Sequence, residues 1–526
     1  MAPEDFREIT ASSGLRFTYR NGEEAGHFSM LESLGGGAAL LDFDGDGRFD
    51  VFVPGGGGFG KPQRIFGHPS GLFRNVDGAA FVDSTSSARV DFAPYYSHGA
   101  AVADFDHDGF PDIVVTGYGG LVLFRNQGDG TFDERTRQSG LTDHQWSSSA
   151  AWGDLNGDGH LDLYVAHYVN WSWENHPFCR GPMPDQRDVC PPRAFQDLSD
   201  GVYYSNGDGT FRDATREAGL IADGRGLGVV IFDMDLDGRL DVYVGNDQVP
   251  NFLYHNQGNG KLKEIGRISG TSVGIAGTAE GSMGVDVGDY NGDGLPDLFV
   301  ANYERESFAL YRNDGRTNFT HVSLGTGVTA LGGLYVGWGS IFLDFDRDGD
   351  EDIFVSNGHV IRYPLNSPLN QLPILLENHG GTRFVNVASK AGNFFRQQHM
   401  GRGVALGDID NDGDQDLVVV RTNQPVALLL NETRTDNGWL SVRLIGTQSS
   451  REPIGALLFL ETTSGRLMRQ LKGGGSYAST NEPRVFFGLG KAKIRSLEIR
   501  WPSGKKQILK ENEIAPNQFH TIVEPN

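Results

Sequence analysis

The chain has 526 residues, 45 Lys+Arg against 68 Asp+Glu, and a formal net charge of −23. That balance excludes a nucleic-acid partner, because phosphate binding needs clustered Lys and Arg. With 74 Gly, no Gly-X-Y period and no apolar run long enough to span a bilayer, the composition points to an all-β protein rich in tight turns, where Gly supplies positive φ.

The charge is uneven. Residues 435–526 hold 13 Lys+Arg against 8 Asp+Glu, a net of +5, so residues 1–434 carry −28. A folded body with that surplus repels itself unless cations neutralise it. The opening residues, MAPEDFREIT, have neither a basic nor an apolar stretch, so no signal peptide is expected there and a cytoplasmic location stays open.

Seven copies of one loop follow, with successive starts 62, 50, 79, 56, 55 and 64 residues apart. The first places Asp42, Asp44, Asp46 and Asp50 around Gly47. The second has Asp104, Asp106, Asp108 and Asp112 around Gly109, and the third Asp154, Asn156, Asp158 and Asp162 around Gly159. The fourth uses Asp233, Asp235, Asp237 and Asp241, and the fifth Asp289, Asn291, Asp293 and Asp297. The sixth uses Asp344, Asp346, Asp348 and Asp352, and the seventh Asp408, Asp410, Asp412 and Asp416. Oxygen ligands at positions 1, 3, 5 and 9, with Gly at position 6 for the sharp turn, suit a hard cation taking about six to eight oxygens, so Ca2+ is the expected ion at up to one structural site per blade. Magnesium demands stricter geometry, and zinc would want His or Cys. An EF-hand would need Glu at position 12 and flanking helices. Here position 12 is Val53, Val115, Val165, Val244, Val300, Val355 and Val419, inside short apolar runs that read as strands.

A second element follows each loop, clearest in LFRNQGDGTFDERTRQSGL from Leu123 to Leu141. It reads as strand, turn and strand, which brings each repeat to about four strands, the size of a propeller blade. The insertion holding Cys179 and Cys190 has no strand pattern. Its two thiols are either a disulfide, implying an oxidising compartment, or incidental. The seventh repeat stops at Asn431 without its outer strand, and Phe6-Arg7-Glu8-Ile9-Thr10 is the missing piece. The N-terminus is therefore predicted to complete the last blade and close the ring, which removes exposed sheet edges.

The loops and strands resemble FG-GAP/VCBS repeats, as in integrin α-subunit propellers. The tail resembles the ASPIC/UnbV domain through Gly438-Trp439-Leu440, Gly473-Gly474-Gly475-Ser476-Tyr477, Phe487-Gly488-Leu489-Gly490 and Arg500-Trp501-Pro502-Ser503-Gly504. Together they resemble the cartilage acidic protein family and its bacterial members. The expected fold is thus all-β: a seven-bladed β-propeller over 1–434 closed by the N-terminal strand, and a small β-sandwich-like ASPIC/UnbV domain over 435–526. The resemblance implies a secreted or periplasmic protein, and the insertion with Cys179 and Cys190 resembles the family's cysteine-bearing loop.

If the metal loops join first and second strands at one face, the segments before first strands ring the opposite mouth of the channel. Those segments carry His27, His98, Glu280, His399 and Arg402, the candidates for any acid–base chemistry. Such a face suits a small molecule, glycan or protein ligand. The alternative is an enzyme of natural-product biosynthesis working at the same face with calcium structural. No Ser-His-Asp spacing, P-loop or dinucleotide fingerprint is present. The basic residues Lys491, Lys493, Arg495, Lys505 and Lys506 read first as a solvated face, with docking on the acidic propeller or on an anionic partner as the weaker alternative.

Overall fold

The computed structural model describes residues 5–526. Each Asp-rich loop is flanked by two β-branched, apolar runs too short for helices, and these become the first and second strands of seven four-stranded antiparallel sheets. Blade 2 shows the pattern, with strands Tyr96–Ala103, Asp112–Tyr118, Gly120–Asn126 and Phe132–Glu134. Blade 7 is assembled from Gly401–Gly407, Asp416–Arg421 and Ala427–Asn431, with Phe6–Glu8 as its outer strand. Phe6 pairs with Asn431 and Glu8 with Leu429, as the half-repeats at the two ends predict. The first strands touch in order around the molecule, blade 1 to blade 7 and back to blade 1. The core runs between the sheets as bands of Val, Leu, Ile and Phe with almost no solvent exposure. No helix among the described residues is long and apolar enough to cross a membrane.

The tail folds as two sheets. One pairs Gly438–Ile445 with Arg484–Gly490 and, in parallel, with Phe519–Val523; the other is ordered Arg466–Gln470, Leu457–Thr462, Ile494–Arg500, Lys506–Lys510. Their inner faces share Leu440, Val442, Leu458, Leu460, Phe487 and Leu497, so the sandwich has a core of its own.

The hairpin at residues 471–483 leaves this sandwich and enters the propeller channel. Gly473 and Gly474 pair with Ile231 and Val230 of blade 4. Val285 N of blade 5 donates to Ser476 O, Ala100 N of blade 2 to Ala478 O, and Leu40 N of blade 1 to Thr480 O. Ala478 N donates to Ser149 Oγ of blade 3, and Leu406 N of blade 7 to Asn481 Oδ1. Blade 6 contributes Trp338, whose ring meets Tyr477 edge-on at 4.7 Å. First strands make room by lacking side chains: a Cβ at Gly37 would sit 2.0 Å from Ala478 O, and one at Gly403 2.5 Å from Tyr477 O. Every blade therefore touches the plug. Backbone groups that would otherwise line an open channel find partners there.

Charge joins the two units as well, through different residues than the sequence reading named. Lys472 Nζ reaches the fully buried Asp286 at 2.5 Å. Arg469 pairs with Glu351 at 3.3 Å, and Arg484 donates to Asp408 O and Asn411 Oδ1 at 2.8 Å. Lys491 instead pairs with Asp436, and Lys505 Nζ donates to Pro525 O. Both of these partners lie within residues 435–526 rather than in the propeller.

Tyr477 is fully buried, and its hydroxyl has no hydrogen-bond partner. Tyr477→Phe is expected to leave stability unchanged or slightly raised, since an unsatisfied polar group is removed. Tyr477→Ala is expected to cost about 3–5 kcal/mol by the cavity it leaves. Urea unfolding of the two variants checks both.

Candidate functional site

The seven loops adopt one geometry. In every one the N–H of the position-6 glycine donates to the position-1 aspartate, at 2.8–3.0 Å. Those glycines have φ between 84° and 101°, which only Gly adopts without strain. The position-9 aspartate is buried and accepts the N–H of the third strand's last residue, from Asn75 to Asp50 at 2.7 Å through Asn431 to Asp416 at 2.8 Å. Carboxylate oxygens converge within 4.8 Å in Asp42/Asp44/Asp50, Asp104/Asp106/Asp108, Asp233/Asp235/Asp241 and Asp344/Asp346/Asp348.

The electrostatics of these sets fit a divalent cation. Burial, then the neighbouring carboxylates, pushes Asp233 up to about 7 and, together with Glu482, Asp408 up to about 8. Burial raises Asp50 to about 8 despite the N–H groups of Asn75 and Phe43. Asp42 Oδ1, Asp104 Oδ1, Asp106 Oδ1, Asp235 Oδ1 and Asp410 Oδ1 are buried with no hydrogen-bond partner. Acceptor-only oxygens turned inward without a donor match the oxygen shell a hard cation takes.

A residue that sequence reasoning passed over links the loops into a ring. The third strand of six blades ends in Asn, and its side-chain N–H bonds to the position-2 carbonyl of the preceding blade's loop. The donors are Asn75, Asn126, Asn256, Asn313, Asn378 and Asn431, and the distances are 2.8–2.9 Å. Asn75 reaches Ile409 and so fastens blade 1 to blade 7. Blade 3 has Ser205 at this place, where its N–H still meets Asp162 but its shorter side chain makes no such link. The signal was in the sequence as an Asn that in four of these blades stands six residues before a Phe. Without the neighbouring blade in view, it reads only as a turn residue.

The mouth opposite the loops is closed by three insertions. Arg362 ties them together: its side chain pairs with Glu32 at 2.9 Å and with Glu23, and its backbone N donates to Asp188 at 2.8 Å. Cys179 and Cys190 form a disulfide with Cα atoms 5.2 Å apart, which resolves the choice left open by the sequence. His27 stands edge-on to Phe59 at 5.1 Å and Trp173 at 4.9 Å.

Beneath this cover the candidate residues are held by protein partners. His98 is fully buried; its Nδ1 lies 2.9 Å from Gly35 O, and its Nε2 accepts the Trp146 indole N–H at 2.9 Å. Burial takes its pKa down to about 4. His399 stacks on Phe394 at 4.2 Å, with Nε2 3.0 Å from Phe394 O. Arg402 donates to Ser33, Gly358, Gly401 and His359 carbonyls at 2.7–3.2 Å, and its guanidinium lies 4.3 Å above the Trp338 ring. Glu280 accepts from Asn302 Nδ2 at 2.6 Å, and burial pushes it up to about 7. His98 and Arg402 both hold the 33–35 segment, whereas His27, His399 and Glu280 each sit among separate neighbours.

Comparison with known proteins follows the repeats. The FG-GAP-like repeat profile matches residues 42–115, 104–165, 194–244, 233–300 and 289–355, and the ASPIC and UnbV profile matches 446–526. The chain belongs to the FG-GAP-like repeat family. Cartilage acidic protein 1 of Homo sapiens is 27% identical over 520 residues, covering 93% of this chain and 71% of its own. The Xenopus tropicalis protein of that name is 26% identical over 530 residues, covering 93% and 75%. Among solved structures, YCF48 bound to D1 peptide has a TM-score of 0.43 at 7% identity, covering 82% of this chain and 97% of that one. A lectin of Agrocybe aegerita that recognises terminal N-acetylglucosamine has a TM-score of 0.40 at 15% identity, covering 74% and 87%.

Two outcomes are expected of this FG-GAP-like repeat protein. Ser205→Asn supplies the missing link and should raise unfolding free energy by about 1 kcal/mol, read by urea denaturation. His98 is neutral when folded, with a pKa below its ordinary 6.5, so the unfolded chain binds its proton more tightly. Its contribution is retained above pH 6.5 and lost as pH falls toward 4, by on the order of 3 kcal/mol. His98→Gln should flatten that part of the pH–stability curve.

Proposed function

We propose that this protein is a calcium-stabilised binding scaffold that presents the insertion-covered face to a glycan or protein partner. The observation that carries the calcium half is the sevenfold recurrence of one Gly-to-Asp loop geometry, with buried, unpartnered carboxylate oxygens in loops 1, 2, 4, 5 and 7. The ion would be held by positions 1, 3, 5 and 9 of each loop. When bound it supplies charge neutralisation, and metal binding is then folding free energy. Loops 3 and 5 carry Asn156 and Asn291 at position 3, so they hold one carboxylate fewer and are the weaker sites.

The binding half rests on the covering insertions. They expose Phe178 at 58%, Met183 at 64% and Leu365 at 77% on segments pinned by the disulfide and by Arg362. Exposed apolar side chains on a pre-organised surface are what a macromolecular partner uses. The disulfide fits an oxidising compartment. The biosynthetic-enzyme alternative finds no support in His98, His399 and Glu280, whose acid–base atoms are engaged with Gly35, Trp146, Phe394 and Asn302.

Protein dialysed against calcium and measured by elemental analysis should retain several ions per chain. Chelation should lower the melting temperature by roughly 10 °C or more, since several sites act together. Asn156→Asp with Asn291→Asp should remove the weaker phase of a calcium titration. Metal-free protein melting at the same temperature as loaded protein would sink the calcium reading. A native partner should protect residues 171–197 and 359–366 from hydrogen exchange, and protection confined to the outer strands would move the binding face elsewhere.

A further inference from the structure

The residue before the last of the third strand is Arg74, Arg125, Tyr204, His255, Arg312, Glu377 and Leu430 in blades 1 to 7. In blades 1 and 2 this side chain leans over the blade's own Asp-rich loop. Arg74 meets Asp44 at 2.5 Å and Asp46 at 3.3 Å, and Arg125 meets Asp106 and, at 2.9 Å, Asp108. These carboxylates stand at positions 3 and 5, two of the expected ligand positions. A guanidinium has donors only, so it can neutralise them but cannot ligate an ion. Blade 4 alone carries an imidazole at this place.

His255 takes the same path. Its Nε2 lies 3.3 Å from Asp235 Oδ2, and one ligand atom each from Asp235, Asp237 and His255 falls within 4.8 Å of the others. Nε2 is buried and makes no hydrogen bond, and Asp235 Oδ1 is buried without a partner too. A simple ion pair would place Nε2 in hydrogen-bonding geometry with Asp235, which it lacks. Asp237 is steadied by the Arg239 guanidinium and accepts Arg239 N–H at 2.9 Å, which still leaves lone pairs on its two oxygens. The other ring nitrogen, Nδ1, accepts the Gln257 amide N–H at 3.0 Å. A half-turn of that amide lets its oxygen accept Nδ1–H instead, and Nε2 then offers its lone pair to a metal.

We propose that loop 4 is a mixed nitrogen–oxygen site that takes a borderline divalent ion, Zn2+, in place of calcium, through Asp235, Asp237 and His255. Imidazole and carboxylate ligands with a water in the fourth position make an ordinary zinc set. Calcium seeks oxygen, whereas imidazole suits zinc. The loop's own residues contain no His; the fold brings one in from the third strand. The inference rests on the reading of these loops as cation sites and changes the ion at one of them.

The full chain, loaded with calcium, freed of the excess and given equimolar Zn2+, should show anomalous density at the zinc edge beside His255 in its crystals and none at the other loops. His255→Gln and His255→Arg, the second matching blades 1 and 2, should each weaken zinc binding at least about tenfold in competition with a chromogenic chelator. Both should keep the melting temperature of the calcium-loaded protein. No zinc beside His255, zinc spread evenly over the loops, or an unchanged zinc affinity in both variants would each overturn the assignment. Elemental analysis of the same samples reads calcium separately. Zinc beside His255 with no calcium retained elsewhere would sink the calcium reading alone, and retained calcium without zinc would sink this inference alone.

Discussion

The constraint on which the rest depends is the filling of the channel. Seven first strands arranged in a ring turn backbone N–H and C=O groups toward a common axis, and a dry axis with unpaired backbone is costly. Here the Gly473–Asn481 segment supplies the missing partners, bonding to strands of blades 1, 2, 4, 5 and 7 and to the Ser149 hydroxyl of blade 3. The plug is built from Gly, Ser, Ala and Thr around one large residue, Tyr477. Small side chains let its backbone approach the strands, and the tyrosine fills the space against Trp338. The tail is thus a structural component of the propeller rather than an appended module.

The outer part of the ring is held by a different chemistry. Position-9 aspartates lock each loop to its own third strand, and the asparagines next to them reach the previous blade. One hydrogen-bond pattern, repeated around the axis, sets both the loop shape and the spacing between sheets. The loops concentrate carboxylates at the face the tail covers, where Arg443, Arg451, Arg469 and Arg484 approach them. The +5 of residues 435–526 against the −28 of residues 1–434 is the sequence-level trace of that contact.

The Asp-rich loops and the blade count were legible because the period is written in residue types whose geometry is local. Asp at positions 1, 3, 5 and 9 with Gly at 6 needs no distant partner to be recognised. The closing strand was legible for a related reason, since half a repeat at each end has one economical completion. The mouth was not. His98, His399 and Arg402 lie on segments that topology places there, as expected, yet their side chains turn inward to Gly35, Phe394 and four carbonyl oxygens. Residue type and position along a blade say nothing about which way a loop side chain points once another insertion covers it.

The sequence by itself determined the all-β class, seven blades, N-terminal closure and the spacing of the Asp-rich loops, because each follows from short-range periodicity and from the count of repeats. Only the tertiary structure decided that the tail threads the channel, that Cys179 bonds Cys190, that Asn75 fastens the ring and that three insertions seal the far mouth. These are contacts between segments tens to hundreds of residues apart or, for the cysteines, a choice that spacing alone left open. Their partners are chosen by shape and hydrogen-bond complementarity across the folded ring, which no local pattern encodes.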